Sequence, residues 1–349
     1  MKKILVIDDN KATLAMAKQV LSDEYSVIAV ISGFQALKYL EKEIPDLILL
    51  DLNMPDMDGK QTMTKIHGDE RWCDIPIIVL TVENNPQNEV DCLEMGAFDF
   101  IAKPFVPQVM KSRIARALEL IDYRRMLQID NEKKKMQIEN MKSQLIMVLA
   151  DMIDNRHSAT GAHVRRVSMI VEALVKKMRA EGMFHELLDD RYVLSICLSA
   201  PLYDIGKIKI PDTVLKKQGD LTEEEFELMK THTTEGARIL DECAKGIEDN
   251  YYLILGRDMA AYHHEWWNGK GYPYGLKGLK IPFCARVIAV ADVFDALVSK
   301  RSYKRQMSFD QAFEMIKKGS GGHFDPVIVD VFLSIRPEIE RISMIGVDN

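Results

Sequence analysis

At 349 residues, with 47% apolar and 28% charged side chains, the sequence has the composition of a globular protein and the length for two cores of ordinary domain size. A net charge of −7 argues against an extended nucleic-acid-binding surface, and no run approaches the roughly 18 consecutive apolar residues that cross a bilayer. Five cysteines, Cys73, Cys92, Cys197, Cys243 and Cys284, lie apart without a CxxC pair, which points to neither a disulfide framework nor a thiolate zinc site.

Met1-Lys2-Lys3 runs directly into Ile4-Leu5-Val6-Ile7, so the expectation is a cytoplasmic protein without membrane insertion. From there to Phe105, β-rich apolar runs alternate with helical patterns. The runs are Ile4–Ile7, Ser26–Val30, Asp46–Leu50, Ile75–Leu80 and Phe98–Ile101, and they predict a five-stranded parallel sheet with helices on both faces. Between Gln108 and Met152 there is neither glycine nor proline, which predicts one long helix. Beyond it helical patterning dominates, so the second domain is expected to be all-α. The expected division is 1–121, a linker helix over 122–148, and 149–349.

Within the long helix Ile138, Met141, Leu145, Val148 and Met152 recur at alternating steps of four and three, the spacing of a coiled-coil seam. Ile114, Leu118 and Ile121 keep that spacing in another register, with the polar stretch 130–135 between the two. The stripe predicts a homodimer formed through this helix.

The polar residues at the predicted strand ends form a chemical set. Asp8 and Asp9 follow the first strand, Asp51 the third, Thr81 the fourth, and Lys103-Pro104 the fifth. In an open parallel sheet these carboxyl ends lie on one edge, where ligands bind. Three converging acids imply a hard divalent cation such as Mg²⁺. Asp51 is then a candidate nucleophile toward a phosphoryl group, with Lys103 and Thr81 placed to bind the added oxygens. Through these residues and the loop from Asp51 to Gly59, residues 3 to about 121 resemble a response-regulator receiver of flavodoxin-like topology. The resemblance implies phosphorylation at Asp51 by a partner sensor histidine kinase, and it makes Phe100 the aromatic switch residue.

Four histidines fall in a pattern suited to metal: His163, His232, and the adjacent His263 and His264. With Asp204 and Asp292 they form a nitrogen and oxygen set suited to one or two ions of Fe or Mn, with Ni or Zn as further possibilities. The run His263-His264-Glu265-Trp266-Trp267-Asn268-Gly269-Lys270-Gly271-Tyr272-Pro273 carries a second resemblance, to the HD-GYP family. Supporting it are Asp204-Ile205-Gly206-Lys207, Leu221-Thr222-Glu223-Glu224-Glu225, the stretch from Asp292 to Leu297, Arg301 to Lys304, and Gly322-His323-Phe324-Asp325-Pro326. The resemblance implies metal-dependent hydrolysis of cyclic di-GMP to pGpG and GMP. In it Lys207 and Asp204 serve catalysis, and Tyr272, Arg301 and Lys304 contact the nucleotide.

One position departs from that family: Tyr203-Asp204 stands in place of the His-Asp pair. By resemblance the missing histidine would join His163, Asp204 and Asp292 around one metal, while Asp204, His232, His263 and His264 hold the other. Tyr203 is then a weak ligand at most. The principal reading is a phosphorylation-controlled phosphodiesterase. The alternative is a catalytically impaired domain acting as a cyclic di-GMP receptor or an interaction module. No helix-turn-helix segment or basic reading helix follows the receiver, so DNA is not an expected partner.

Overall fold

The computed structural model describes residues 1–82, 90, 93–156, 162–299 and 306–345. They form two compact units, Met1–Lys135 and Met136–Asn349.

The first unit is built on strands β1 (Lys3–Ile7), β2 (Ser26–Val30), β3 (Leu47–Asp51), β4 (Ile77–Val82) and β5 (Asp99–Lys103), all parallel in the order β2-β1-β3-β4-β5. Side chains alternate between the faces of a strand, so the continuous apolar runs cover both faces. Ile4, Val6, Leu47, Leu49, Ile78, Leu80 and Ile101 pack on one side, with Leu14, Ala17 and Leu21 of helix α1 (Lys11–Leu21). Leu5, Ile7, Ile48, Leu50, Ile77 and Val79 pack on the other. There they meet α2 (Gly33–Leu40) through Ala36 and Leu40, and α3 (Gly59–His67) through Met63 and Ile66. Each fully buried Leu or Ile contributes about 1.5–3 kcal/mol of burial. Because β1 lies beside β3, with Ile7 opposite Leu50, Asp8 just after β1 and Asp51 at the end of β3 arrive side by side.

The helix predicted from Gln108 to Met152 is α4 (Pro107–Asp154). Ile114 and Leu118 are buried in the first unit's core, together with Met110 and Ala117. The second stripe is different: Ile138, Met141, Leu145, Val148 and Met152 are all more than half exposed. Ile146, on another face, packs against Leu202, Leu240, Leu253 and Ala260 of the second unit. The change of register thus separates a stripe covered by the chain's own core from one left open.

The second unit is helical: α5 (Ala162–Ala180), α6 (Asp190–Ser199), α7 (Asp212–Leu215), α8 (Glu223–Ala244), α9 (Tyr251–Tyr262), α10 (Phe283–Val298), α11 (Phe309–Lys318), α12 (Pro326–Ser334) and α13 (Arg336–Ser343). Its core gathers Val167, Leu174, Ile288, Phe294, Phe313 and Phe332, with the last three rings 4.8–5.1 Å apart. Thr222 and Glu225 close a capping box at the start of α8, so the Leu221-to-Glu225 motif is a helix start. Two 3₁₀ turns, Ala200–Leu202 and Ile205–Lys209, flank Tyr203 and Asp204. The second turn lies so close to α8 that a Cβ on Gly206 would meet the His232 carbonyl oxygen at 1.9 Å. That approach brings Asp204 to the helix that carries His232.

Candidate phospho-acceptor and metal centres

At the carboxyl edge of the sheet, Lys103 Nζ lies 2.6 Å from Asp8 Oδ2 and 2.9 Å from Asp51 Oδ1. Asp8 and Asp51 are buried, Asp9 is exposed, and the three offer carboxylate oxygens within 4.8 Å of one another. Burial pushes the Asp51 carboxyl upward, and nearby Asp8 adds to this, while Lys103 pulls it down. A divalent cation fits among these acids. Gly59 fits the close return of the loop, since a Cβ there would meet the Asp51 carbonyl at 2.3 Å. Thr81 is buried on β4 opposite Ala102 of β5. Phe100 is half-buried, with the Arg113 guanidinium 5.3 Å from its ring centre and ion-paired to Asp99 at 2.6 Å.

In the second unit the hydrogen bonds define which nitrogens are free. His232 Nδ1 lies 2.7 Å from the Met229 carbonyl oxygen, and His263 Nδ1 lies 3.0 Å from that of Met259. A carbonyl oxygen only accepts, so each Nδ1 carries the proton and each Nε2 presents a lone pair. Those Nε2 atoms are 3.3 Å apart, and Asp204 Oδ1 lies 3.4 Å from one and 3.7 Å from the other. Asp204 Oδ1 is buried and accepts no hydrogen bond. His264 places a ring nitrogen within 4.8 Å of the other two histidines. Burial holds His232 down at about 4 and His264 well below its ordinary value, so both imidazoles are neutral. Lone pairs converging on one point with no donor between them fit a cation, and three imidazoles with one carboxylate suit a transition metal.

His163 and Asp292 are arranged otherwise. The fully buried Tyr203 hydroxyl lies 2.9 Å from His163 Nε2 and donates to Asp292 Oδ1 at 2.9 Å. His163 Nδ1 is 2.6 Å from Asp295 Oδ2. Burial pulls His163 down, but Asp292 and Asp295 on its two sides outweigh it and raise it to about 10. Asp295 is held in turn by Arg166, Nε to Oδ1 at 2.6 Å and Nη2 to Oδ2 at 2.9 Å.

Lys207 Nζ is 2.5 Å from Asp204 Oδ2, and the Tyr272 ring stacks on His264 at 4.7 Å. Arg301 and Lys304 lie outside the described residues. Sequence reasoning gave Asp295 only as part of the Asp292-to-Leu297 motif and Arg166 no part, although each stands one helical turn, three residues, from a singled-out neighbour, Asp292 and His163. Glu265, quoted there only within the run from His263 to Pro273, is buried and accepts the backbone N–H of Tyr274 at 2.7 Å and of Leu276 at 2.8 Å, and so shapes the Gly271-Tyr272-Pro273 loop. His323, whose ring stacks 4.5 Å from that of Trp266, was read only as part of a motif.

A parallel sheet with an acid trio and lysine at its edge, followed by a helical unit rich in buried His and Asp, defines a response regulator of the two-component type. Residues 4–115 match the model of the response regulator receiver domain, and residues 147–328 match that of the HD domain. The chain is 35% identical over 338 residues to a probable cyclic di-GMP phosphodiesterase of Vibrio cholerae, covering 95% of this chain and 77% of the relative. It is 34% identical to the cyclic di-GMP phosphodiesterase response regulator RpfG of Xanthomonas campestris, covering 97% and 89%. A cyclic di-GMP phosphodiesterase of Thermotoga maritima is also 34% identical, with 98% and 92% covered. The chain belongs to the family of cyclic di-GMP phosphodiesterase response regulators, which join a receiver to an HD domain. HD-domain phosphodiesterases are metal-dependent, receivers bind Mg²⁺, and a receiver implies a phosphodonor such as a histidine kinase. No helix among the described residues is long and apolar enough to cross a membrane.

Removing the Asp295 carboxylate leaves the buried Arg166 guanidinium without its counter-charge, with only the neutral acceptors Ser299 Oγ and the Ile345 carbonyl. Asp295→Ala is expected to destabilise the helical unit by about 3–5 kcal/mol; an unchanged urea midpoint would show that the pair does not hold this part of the core.

Proposed function

We propose that this chain hydrolyses cyclic di-GMP at the centre formed by Asp204, His232, His263 and His264, under control of phosphorylation at Asp51. The observation that carries the reading is the convergence of unshared lone pairs beside Lys207 and Tyr272. An ion held there supplies Lewis acidity toward the phosphate and acidifies water at neutral pH. Lys207 places an ammonium at the edge of the same set, where it offsets charge on a non-bridging phosphate oxygen. Tyr272 presents an aromatic wall for a base, and Arg301 and Lys304 supply cationic contacts to phosphate or base edges. Water adds to phosphorus, the bond to the ribose 3′ oxygen breaks, and the leaving oxygen takes up a proton, giving pGpG. A second hydrolysis gives GMP. Fe or Mn suits the ligand set, with Ni or Zn next.

At the other centre, Asp8, Asp9 and Asp51 hold Mg²⁺, Asp51 accepts the phosphoryl group from a sensor histidine kinase, and Lys103 with Thr81 binds the added oxygens. The switch includes Phe100. The functional division follows as residues 1–121, the linker 122–148 and 149–349. The open stripe Ile138, Met141, Leu145, Val148 and Met152 pairs with the same stripe of a second copy, making a homodimer. The reading places the protein in the cytoplasm, where a kinase and cyclic di-GMP meet.

In a chromatographic assay the parent is expected to release pGpG or GMP from cyclic di-GMP. His264→Ala or chelation should reduce the rate by 100-fold or more; product formation unchanged by either would contradict the reading. Beryllofluoride should alter the parent's rate and leave Asp51→Asn unaffected, whereas equal responses would remove Asp51 from the control. By light scattering the full chain should be a dimer and Leu145→Lys a monomer; a dimer retained by the variant would place the interface elsewhere.

A further inference from the structure

The two halves of the buried polar cluster are satisfied in different ways. Where Asp204 Oδ1 faces His232 and His263, the histidine protons point away to backbone carbonyls and the carboxylate oxygen accepts nothing. Where His163 faces Asp292, Nε2 and Oδ1 are in direct contact at 3.3 Å, and the Tyr203 hydroxyl lies against both, 2.9 Å from each. An N–H from His163 Nε2 to the phenol oxygen, and the phenol O–H to Asp292 Oδ1, satisfy the atoms that face one another there; His163 Nδ1 already has Asp295. In the first half Lys207 meets only Asp204 Oδ2, and no cation stands among Oδ1 and the two Nε2 atoms; the second half is closed by the protons of His163 and Tyr203 and the ion pairs they complete.

The position of the phenol is fixed. Tyr203 is fully buried, its ring stands edge-on to His263 at 5.2 Å, and 3₁₀ turns on both sides hold its backbone. Among the described residues, the His, Cys, Asp and Glu groups that offer three mutually close ligand atoms are the receiver acids and the set His232, His263 and His264. His163 with Asp292 belongs to neither.

We propose that the helical unit holds a single metal ion, in the set Asp204, His232, His263 and His264, and that the Tyr203 phenol replaces a second ion between His163 and Asp292. The inference rests on the reading of the first set as a metal centre. Its consequence is chemical: the substrate phosphate meets one ion and the Lys207 ammonium, whose Nζ already touches Asp204, instead of two ions. Lys207 thereby supplies the second positive charge at the reacting phosphate.

The test is a count of ions in the full-length protein. The chain is prepared without oxygen, kept in excess Mg²⁺ so that the receiver acids hold magnesium, loaded with Mn²⁺ and washed. Elemental analysis is expected to find one Mn per chain in the parent and in Tyr203→Phe, two in Tyr203→His, and none in His264→Ala. Electron paramagnetic resonance should show an isolated Mn²⁺ in the parent and an exchange-coupled pair in Tyr203→His. Two ions or a coupled pair in the parent would overturn the inference and leave the metal-centre reading intact. So would a visible phenolate-to-iron absorption in iron-loaded parent that Tyr203→Phe removes. One ion in a folded Tyr203→His would show that the phenol does not fill an ion's place. No ion in any form would overturn the metal-centre reading itself.

Discussion

Three lone pairs that face one another without a hydrogen between them set the requirement around which the helical unit is arranged. His232 Nε2, His263 Nε2 and Asp204 Oδ1 lie within 3.7 Å of one another, and Asp204 Oδ1 is buried and accepts nothing. Backbone carbonyls of Met229 and Met259 fix the tautomers that create the conflict, so the helices themselves prepare the site. Gly206 allows the 3₁₀ turn carrying Asp204 to lie against α8, and Glu265 organises the loop that sets Tyr272 against His264. A buried acceptor without a donor costs about 1–3 kcal/mol. A bound cation turns that cost into affinity.

The receiver centre answers a similar problem with a protein cation. Asp8 and Asp51 would repel each other in their buried setting, and Lys103 touches both. The lysine holds the acids together and remains placed to bind a phosphoryl group on Asp51. Helix α4 follows from β5 without a break in its hydrogen bonding and carries residues of both units. Its early stripe is consumed by the receiver core and its later one is exposed, which is why the heptad register shifts near residues 130–135.

Much of this was legible in the sequence, because it depends on local periodicity. The five apolar runs became the five strands, with ends displaced by one or two residues where side chains took local tasks. Asp46, read as strand, instead uses its carboxylate to accept the Lys3 backbone N–H at 2.8 Å, and β3 begins at Leu47. The His and Asp residues were recognisable by type and spacing, and three of the four histidines do converge. What spacing could not show is how polar groups share protons in three dimensions. Tyr203 was read as an absent histidine, yet its hydroxyl joins His163 to Asp292 from 40 and 89 residues away. The Arg166–Asp295 pair was equally hidden, since its partners are 129 residues apart.

The claim that the converging lone pairs hold an ion is tested most directly by anomalous X-ray diffraction from crystals of the full chain grown with Mn²⁺ and excess Mg²⁺. The account predicts one anomalous peak in the helical unit, bonded to His232, His263, His264 and Asp204, with ordinary light-atom density at the Tyr203 hydroxyl. No peak among those four side chains would contradict it.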